Sequence, residues 1–134
     1  MTQMKILLTI LICMFSTILF AQTQLEMNQQ AIESYQNTEK ELNEIYKKIL
    51  VEYKTDTIFI ENLNTAQKIW VSFREAELNV KFPDMENRHY GTALPVCVNM
   101  YLEKLTRERI NTLKIWLEGY IDKDACNGSV KWID

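Results

Sequence analysis

The chain alternates apolar and charged residues at intervals of three and four positions, the spacing of amphipathic α-helices. Only three glycines and two prolines occur among the 134 residues, so few positions interrupt a helix. Polar residues 54–57 and the loop-like segment 82–95 divide the pattern into three parts. The sequence therefore predicts an all-α protein: a small antiparallel bundle of about three long helices, followed by a short C-terminal tail.

Capping residues indicate where the helices begin. The first helix is predicted to start near Thr23, with Glu26 three residues later completing a capping box. Asp56 or Thr57 is predicted to cap the second helix, and the third begins at about Pro95, a residue tolerated in a first turn. The residues expected to face the core are Ile32, Tyr35, Leu42, Ile45, Tyr46, Ile49, Leu50 and Tyr53, then Phe59, Leu63, Ala66, Trp70, Phe73 and Val80, then Tyr101, Leu102, Leu105, Ile110, Leu113, Trp116, Leu117 and Tyr120.

Two short stretches depart from this helical pattern. Thr38 and Glu39 interrupt the first apolar stripe where an apolar residue would be due. Near the C-terminus, residues 127–128 are an Asn-Gly turn and residues 130–133 favour extended structure. We expect this tail to cover one end of the bundle.

The N-terminus has the pattern of a secretory signal peptide. Lys5 precedes an uncharged apolar run over residues 6–20, which is followed by Ala21 and Gln22. The run is shorter than the roughly 20 residues of a membrane-spanning helix, so a retained anchor is the less favoured alternative. We expect cleavage after Ala21, a single helical domain over residues 22–134 with no stable membrane span, and a periplasmic or secreted protein.

Charge and residue types exclude several classes of function. The chain has 15 basic and 18 acidic residues, and loss of Lys5 with the signal peptide would leave 14 against 18, a net charge of −4. This balance argues against nucleic-acid binding and favours a cationic protein partner. His89 is the only histidine and has no cysteine near it at metal-ligand spacing. No catalytic residue, metal site or cofactor is predicted.

Several short motifs follow one another along the chain: Glu41-Leu42-Asn43 with Tyr46, Ala66-Gln67 with Trp70, Phe73-Arg74-Glu75-Ala76-Glu77, Gly91-Thr92, and Leu105-Thr106-Arg107-Glu108-Arg109. This ordered set resembles the lysozyme-inhibitor LprI-like family of bacterial envelope proteins over residues 23 to about 117. The resemblance implies a non-catalytic exported protein that binds, and inhibits, a lysozyme-type muramidase. The alternative is a structural or interaction module of the envelope, a scaffold or immunity-type protein with an unknown protein partner. The residues that carry the resemblance are Leu42, Asn43, Tyr46, Ala66, Gln67, Trp70, Arg74, Gly91, Thr106 and Arg109.

The family commonly has cysteines where this chain has Gln30, Leu78 and Tyr101. The last two positions lie near the end of helix two and the start of helix three. We infer that an apolar contact between Leu78 and Tyr101 replaces a disulfide there.

Cys97 and Cys126 are the two cysteines beyond the signal peptide, and an oxidising compartment favours their pairing. An unbroken helix from Cys97 to Glu118 would be roughly 32 Å long. The eight steps back to Cys126 span at most about 27 Å. A bridge therefore requires a kinked helix; otherwise Cys97 is a buried thiol and Cys126 a free or intermolecular one.

Two polar residues on the first two helices, Arg74 and Asn43, are expected to form specific contacts. The interpretation of Arg74 is open between two alternatives. Arg74 and Glu77 share a face with Trp70, so Arg74 forms either a stacked surface salt bridge or contacts that order the neighbouring loop. Asn43 is expected to hydrogen-bond across the bundle, since a buried amide without a partner costs about 1 to 3 kcal/mol.

The 82–95 loop is the predicted partner-binding surface. Arg88 offers a fork to a catalytic carboxylate of the muramidase, and Tyr90 offers a ring for a sugar subsite. The side chains predicted to take part are Asp84, Glu86, Arg88, His89 and Tyr90.

Overall fold

The computed structural model describes residues 2–87, 89–122 and 124–133, with side chains described from Gln22 onward. Its helices are α1 (Thr2–Glu52), α2 (Thr57–Lys81) and α3 (Leu94–Glu118), and a 3₁₀ turn, Ala125–Asn127, lies in the tail. Consecutive helices run antiparallel, which leaves α1 and α3 side by side in the same direction. The predicted all-α bundle with a short tail is confirmed.

The predicted start of the first helix at Thr23 is wrong, because α1 passes through this residue without a break. The preceding segment contains neither glycine nor proline, so no residue there stops a helix. The second helix begins as predicted: the Asp56 carboxylate accepts the Phe59 backbone N–H at 2.9 Å. Pro95 lies in the first turn of α3, also as predicted.

The core is formed by aliphatic side chains from all three helices. The closest helix pair is α1 and α3. Two buried threonines, Thr38 and Thr106, have short side chains that permit this approach; they are 1% and 0% exposed. The central buried cluster comprises Leu42, Ile45, Ile49, Leu63, Ile110 and Leu113.

The predicted inward face of α2 is partly wrong. Phe73 and Val80 are 50% and 74% exposed, and Ala66 is exposed as well. Leu63 is buried as predicted, and Phe59 and Trp70 pack against the core. The other buried residues of α2, Arg74 and Leu78, were not predicted to face inward. This rotation carries Arg74 into the bundle, where it meets polar partners on the other two helices. Tyr120, predicted to face inward from α3, lies beyond the end of that helix and is 41% exposed.

The tail packs against the C-terminal ends of α1 and α3, as expected. The Tyr53 hydroxyl donates to the Trp116 carbonyl oxygen at 3.0 Å and accepts the Lys131 backbone N–H at 3.1 Å. The Trp116 indole N–H donates to the Ser129 hydroxyl at 3.1 Å. Val130, which is 7% exposed, is the tail's contribution to the buried apolar residues.

Candidate functional site

Arg74 is buried at the point where the three helices meet. Its guanidinium forms an ion pair with Glu39 of α1 and donates to the Thr106 hydroxyl of α3 at 3.3 Å. The guanidinium carbon lies 4.9 Å from the centre of the Trp70 ring, so the expected stacking is confirmed. The surface salt bridge with Glu77 is not formed, because Arg74 points into the bundle instead.

The interruption of the α1 stripe is explained by this network. Glu39 supplies the carboxylate that compensates the buried guanidinium, and Thr38 packs beside it with its hydroxyl bonded to the Ser34 carbonyl at 3.0 Å. The Thr106 hydroxyl donates to the Leu102 carbonyl at 2.8 Å while accepting from Arg74. The sequence showed Glu39 as a polar residue within an apolar stripe. It did not show that Arg74 of α2 is the partner of this carboxylate.

A second polar contact joins α2 and α3 nearer the other end of the bundle. The Arg109 Nε–H donates to the Gln67 side-chain oxygen at 3.0 Å. Close by, the Tyr46 hydroxyl donates to the Asn64 side-chain oxygen. Burial lowers the pKa of Arg109 and raises the pKa of Tyr46, since both charged forms lose water there.

Most of the ten motif residues hold the helices together. Leu42 lies in the core. Six others link helices: Arg74 contacts Trp70 and Thr106, Arg109 bonds Gln67, and Tyr46 bonds Asn64. The remaining three motif residues, Asn43, Ala66 and Gly91, are exposed. The expected hydrogen bond of Asn43 across the bundle is therefore wrong: its position on α1 directs it to solvent, where its amide needs no protein partner.

The corner between α2 and α3 is closed around Tyr101. Its hydroxyl donates to the Glu77 carboxylate at 3.2 Å, and its ring packs edge-on against Phe82 with the Lys81 ammonium 4.3 Å from the ring centre. Leu78 is buried in the same turn of α2. Tyr101 thus anchors the corner through residues that flank Leu78, and its direct contact with Leu78 stays a prediction.

The predicted partner-binding loop has a fixed base, formed by Phe82, Pro83 and Tyr90, and its acidic and imidazole groups are exposed. Asp84, Glu86 and His89 are exposed, whereas Arg88 lies outside the described residues. Tyr90 is half-buried: its hydroxyl donates to the Pro83 carbonyl at 2.7 Å, and its ring packs edge-on against Phe82. Tyr90 therefore holds the loop together through its hydroxyl and one side of its ring, and its use in a sugar subsite stays a prediction.

Asp84 and Gly91 shape this loop through unusual backbone conformations. Asp84 adopts a positive φ of 59° and accepts a hydrogen bond from the Asn87 side chain at 2.6 Å. Gly91 has a φ of 75°, which glycine adopts without steric cost. Both features favour one fixed loop conformation.

The two cysteines beyond residue 21 are unpaired and exposed. Cys97 lies in the first turn of α3, and Cys126 lies in the tail beyond its other end. Because α3 is a single unbroken helix, the bridge that a kink would have allowed is not formed. The alternative of a buried Cys97 thiol is also wrong, since its side of the first turn faces solvent.

Within residues 22–87, 89–122 and 124–133, no group of three or more histidine, cysteine or acidic residues is placed to hold a metal ion. The same described residues include no helix with both the length and the apolar character needed to cross a membrane.

Comparison with known proteins gives one match. A family model described as "Lysozyme inhibitor LprI" matches residues 20–113. This range includes every motif residue named above and both polar contacts between the helices. No curated protein and no solved structure matches the chain significantly.

Proposed function

The chain belongs to the lysozyme inhibitor LprI family, and from this premise we propose that it binds and inhibits a lysozyme-type muramidase. The observation that carries the proposal is the family match over most of the chain, through all three helices. In this proposal the protein is non-catalytic and is exported to the periplasm or cell surface. Residues 1–21 act as its signal peptide, with cleavage after Ala21.

The loop between α2 and α3 is the proposed contact surface. Asp84 and Glu86 expose two carboxylates within three residues, on a protein whose net charge is −3. Such a surface attracts a cationic enzyme and speeds their encounter at low salt. Arg88 would then offer two parallel N–H donors to a carboxylate in the catalytic cleft.

The fixed base of the loop supports this role. A loop that already has its bound conformation loses little conformational entropy on binding. The Tyr90 bond to Pro83 and the Asn87 bond to Asp84 fix the two ends of the segment that carries Glu86. Tyr90 is accordingly a positioning residue in this proposal, and the direct contacts fall to the exposed side chains.

The test is lysis of peptidoglycan by a panel of lysozyme types, with and without the purified protein. We expect dose-dependent protection from at least one type, weakening as salt concentration rises. A Glu86→Gln, Arg88→Ala, His89→Ala variant should inhibit at least roughly tenfold less well. The matched control is Lys104→Ala with Glu108→Gln, which removes an exposed ion pair on α3.

Three outcomes would each overturn a part of the proposal. Absence of protection against every lysozyme type would remove inhibition itself. Equal inhibition by the loop variant and the α3 control would remove the loop as the contact surface. Peptidoglycan turnover by the protein alone would contradict its non-catalytic character.

An envelope interaction module is the second candidate, supported by the exposed side of α2. Ala66, Ile69, Phe73 and Val80 follow one another at intervals of three, four and seven positions, and Ile69 is 64% exposed. An apolar stripe of this kind on a surface is typical of protein interaction sites. Co-purification with an envelope protein that is lost in Phe73→Glu, without any lysozyme inhibition, would favour this function.

A further inference from the structure

A groove of about 500 Å³ opens between the start of α2 and the end of α3. Ser129 of the tail lies at its edge. A volume of this size is within the range of small-molecule sites in proteins. The walls are mainly apolar and are formed by Ile58, Phe59, Leu63, Ala66, Leu113 and Trp116.

Arg109 is the cationic residue in this groove, and its charge is not compensated. In the described part of the chain no carboxylate lies within ion-pair distance of its guanidinium, and its hydrogen-bond partner is the neutral Gln67. The other two arginines with described side chains have acidic partners: Arg74 pairs with Glu39, and Arg107 with Glu103. A half-buried cation without an anion favours a ligand that supplies one.

The other polar groups of the groove are already engaged or neutral. The Asp56 carboxylate caps α2 through the Phe59 N–H, and the Ser129 hydroxyl accepts the Trp116 indole N–H. Asn62 is an uncharged amide. The Asp56 carboxylate keeps its negative charge, but it lies at the start of α2, 11 positions before Gln67, the partner of Arg109. Beside Arg109 itself the charge is therefore positive and unmatched, next to an apolar wall.

We propose that this groove binds a small amphiphile with one carboxylate, such as a medium-chain fatty acid. The carboxylate takes the free guanidinium nitrogens of Arg109, for which the fork geometry of arginine is suited. The apolar body lies against the Phe59 and Trp116 rings and the small side chain of Ala66. This site is independent of the loop proposed to contact lysozyme, so either proposal can fail alone.

The first experiment titrates the purified protein with decanoate by calorimetry, below the concentration at which decanoate forms micelles. Decan-1-ol, which lacks the charge, and decyltrimethylammonium, which reverses it, are the controls. We expect saturable binding of one decanoate and at least roughly tenfold weaker binding of both controls. Equal binding of decanol and decanoate would overturn the role of Arg109.

Variants locate the site. Arg109→Gln keeps an amide that can bond Gln67 but removes the charge, and it should weaken decanoate binding at least roughly tenfold. Arg107→Gln, two residues away with its own acidic partners, should leave binding unchanged. Ala66→Phe changes an exposed position and leaves Arg109 in place, yet should block binding by filling the groove.

Two further results would overturn the proposal. The first is that Arg109→Gln and Ala66→Phe bind decanoate as tightly as the parent does, while circular dichroism shows that all three proteins have the same helical content. The second is that the parent shows no saturable binding of decanoate. The groove would then be assigned to an acidic segment of a protein partner instead.

Discussion

Arg74 of α2 and Glu39 of α1 form an ion pair inside the bundle, 35 positions apart in the chain. Thr106 accepts a hydrogen bond from the same guanidinium, so one side chain links all three helices. The Nε–H of Arg74 is buried without a hydrogen-bond partner among the described residues. The arginine thus depends on the Glu39 and Glu75 carboxylates, the Thr106 hydroxyl and the Trp70 ring for compensation of its buried charge.

Removing Arg74 should destabilise the protein much more than removing an exposed arginine. Arg74→Ala leaves Glu39 partly buried without its cation and loses the contact with Trp70, so we expect a loss of about 2 to 4 kcal/mol. Arg107→Ala, which breaks an ion pair on the surface, should cost less than about 1 kcal/mol. Urea denaturation followed by helical circular dichroism measures both, and equal losses would contradict the central role of Arg74.

The sequence predicted the three helices because their apolar spacing, the Asp56 cap of α2 and the breaks between them are local features. It placed part of the inward face of α2 wrongly because the orientation of that helix depends on partners distant in sequence. Phe73 and Val80 are better core residues than Arg74 by residue type, yet they are exposed. The orientation follows from Glu39 and Thr106, whose effect no pattern within α2 can indicate.

The candidate sites were predictable to unequal degrees. The proline and glycine of the loop marked its position, and its exposed acidic residues were correctly placed at the surface. The half-buried state of Tyr90 depends on Phe82 and Pro83 folding back beneath it. The groove at Arg109 requires the ends of two helices and the tail to meet, which a single sequence does not determine.

Replacing Gly119 should be more costly than replacing Gly91, although both have a positive φ. At Gly119 φ is 77° and an added Cβ would lie 2.8 Å from the Lys131 carbonyl oxygen. We expect Gly119→Ala to lose at least about 2 kcal/mol through backbone strain and displacement of the tail. Gly91→Ala meets no atom within 4 Å and should lose about 1 kcal/mol. Thermal unfolding of the two variants checks the order, and a reversed order would contradict the tail's close approach.

Cys97 and Cys126 should both react with a thiol reagent in the folded protein. Each is exposed and lies at the opposite end of α3 from the other. Alkylation with iodoacetamide under non-reducing conditions, followed by peptide mass spectrometry, should find both residues modified. A peptide pair joined through these two cysteines would contradict the straight course of α3.

Ionised Glu103 should contribute stability at neutral pH that disappears in acid. A hydrogen bond from Ser34, assisted by Arg107 and opposed by partial burial, lowers the pKa of Glu103 below its ordinary 4.5. The folded state therefore holds this proton less tightly than the unfolded state. Ionised Glu103 stabilises the fold above the unfolded pKa, and this contribution is lost as pH falls through the folded pKa.

We therefore expect Glu103→Gln to be less stable than the parent at pH 7, with a difference that shrinks below about pH 4.5. Urea denaturation at pH 7, 5, 4 and 3 measures this difference. Ser34→Ala should show the same trend with a smaller amplitude, because Arg107 remains beside the carboxylate. Ser72→Ala is the matched control: this exposed hydroxyl bonds only within α2, so any difference from the parent should not vary with pH. A loss in Glu103→Gln that stays constant from pH 7 to pH 3 would show that Glu103 acts through packing alone.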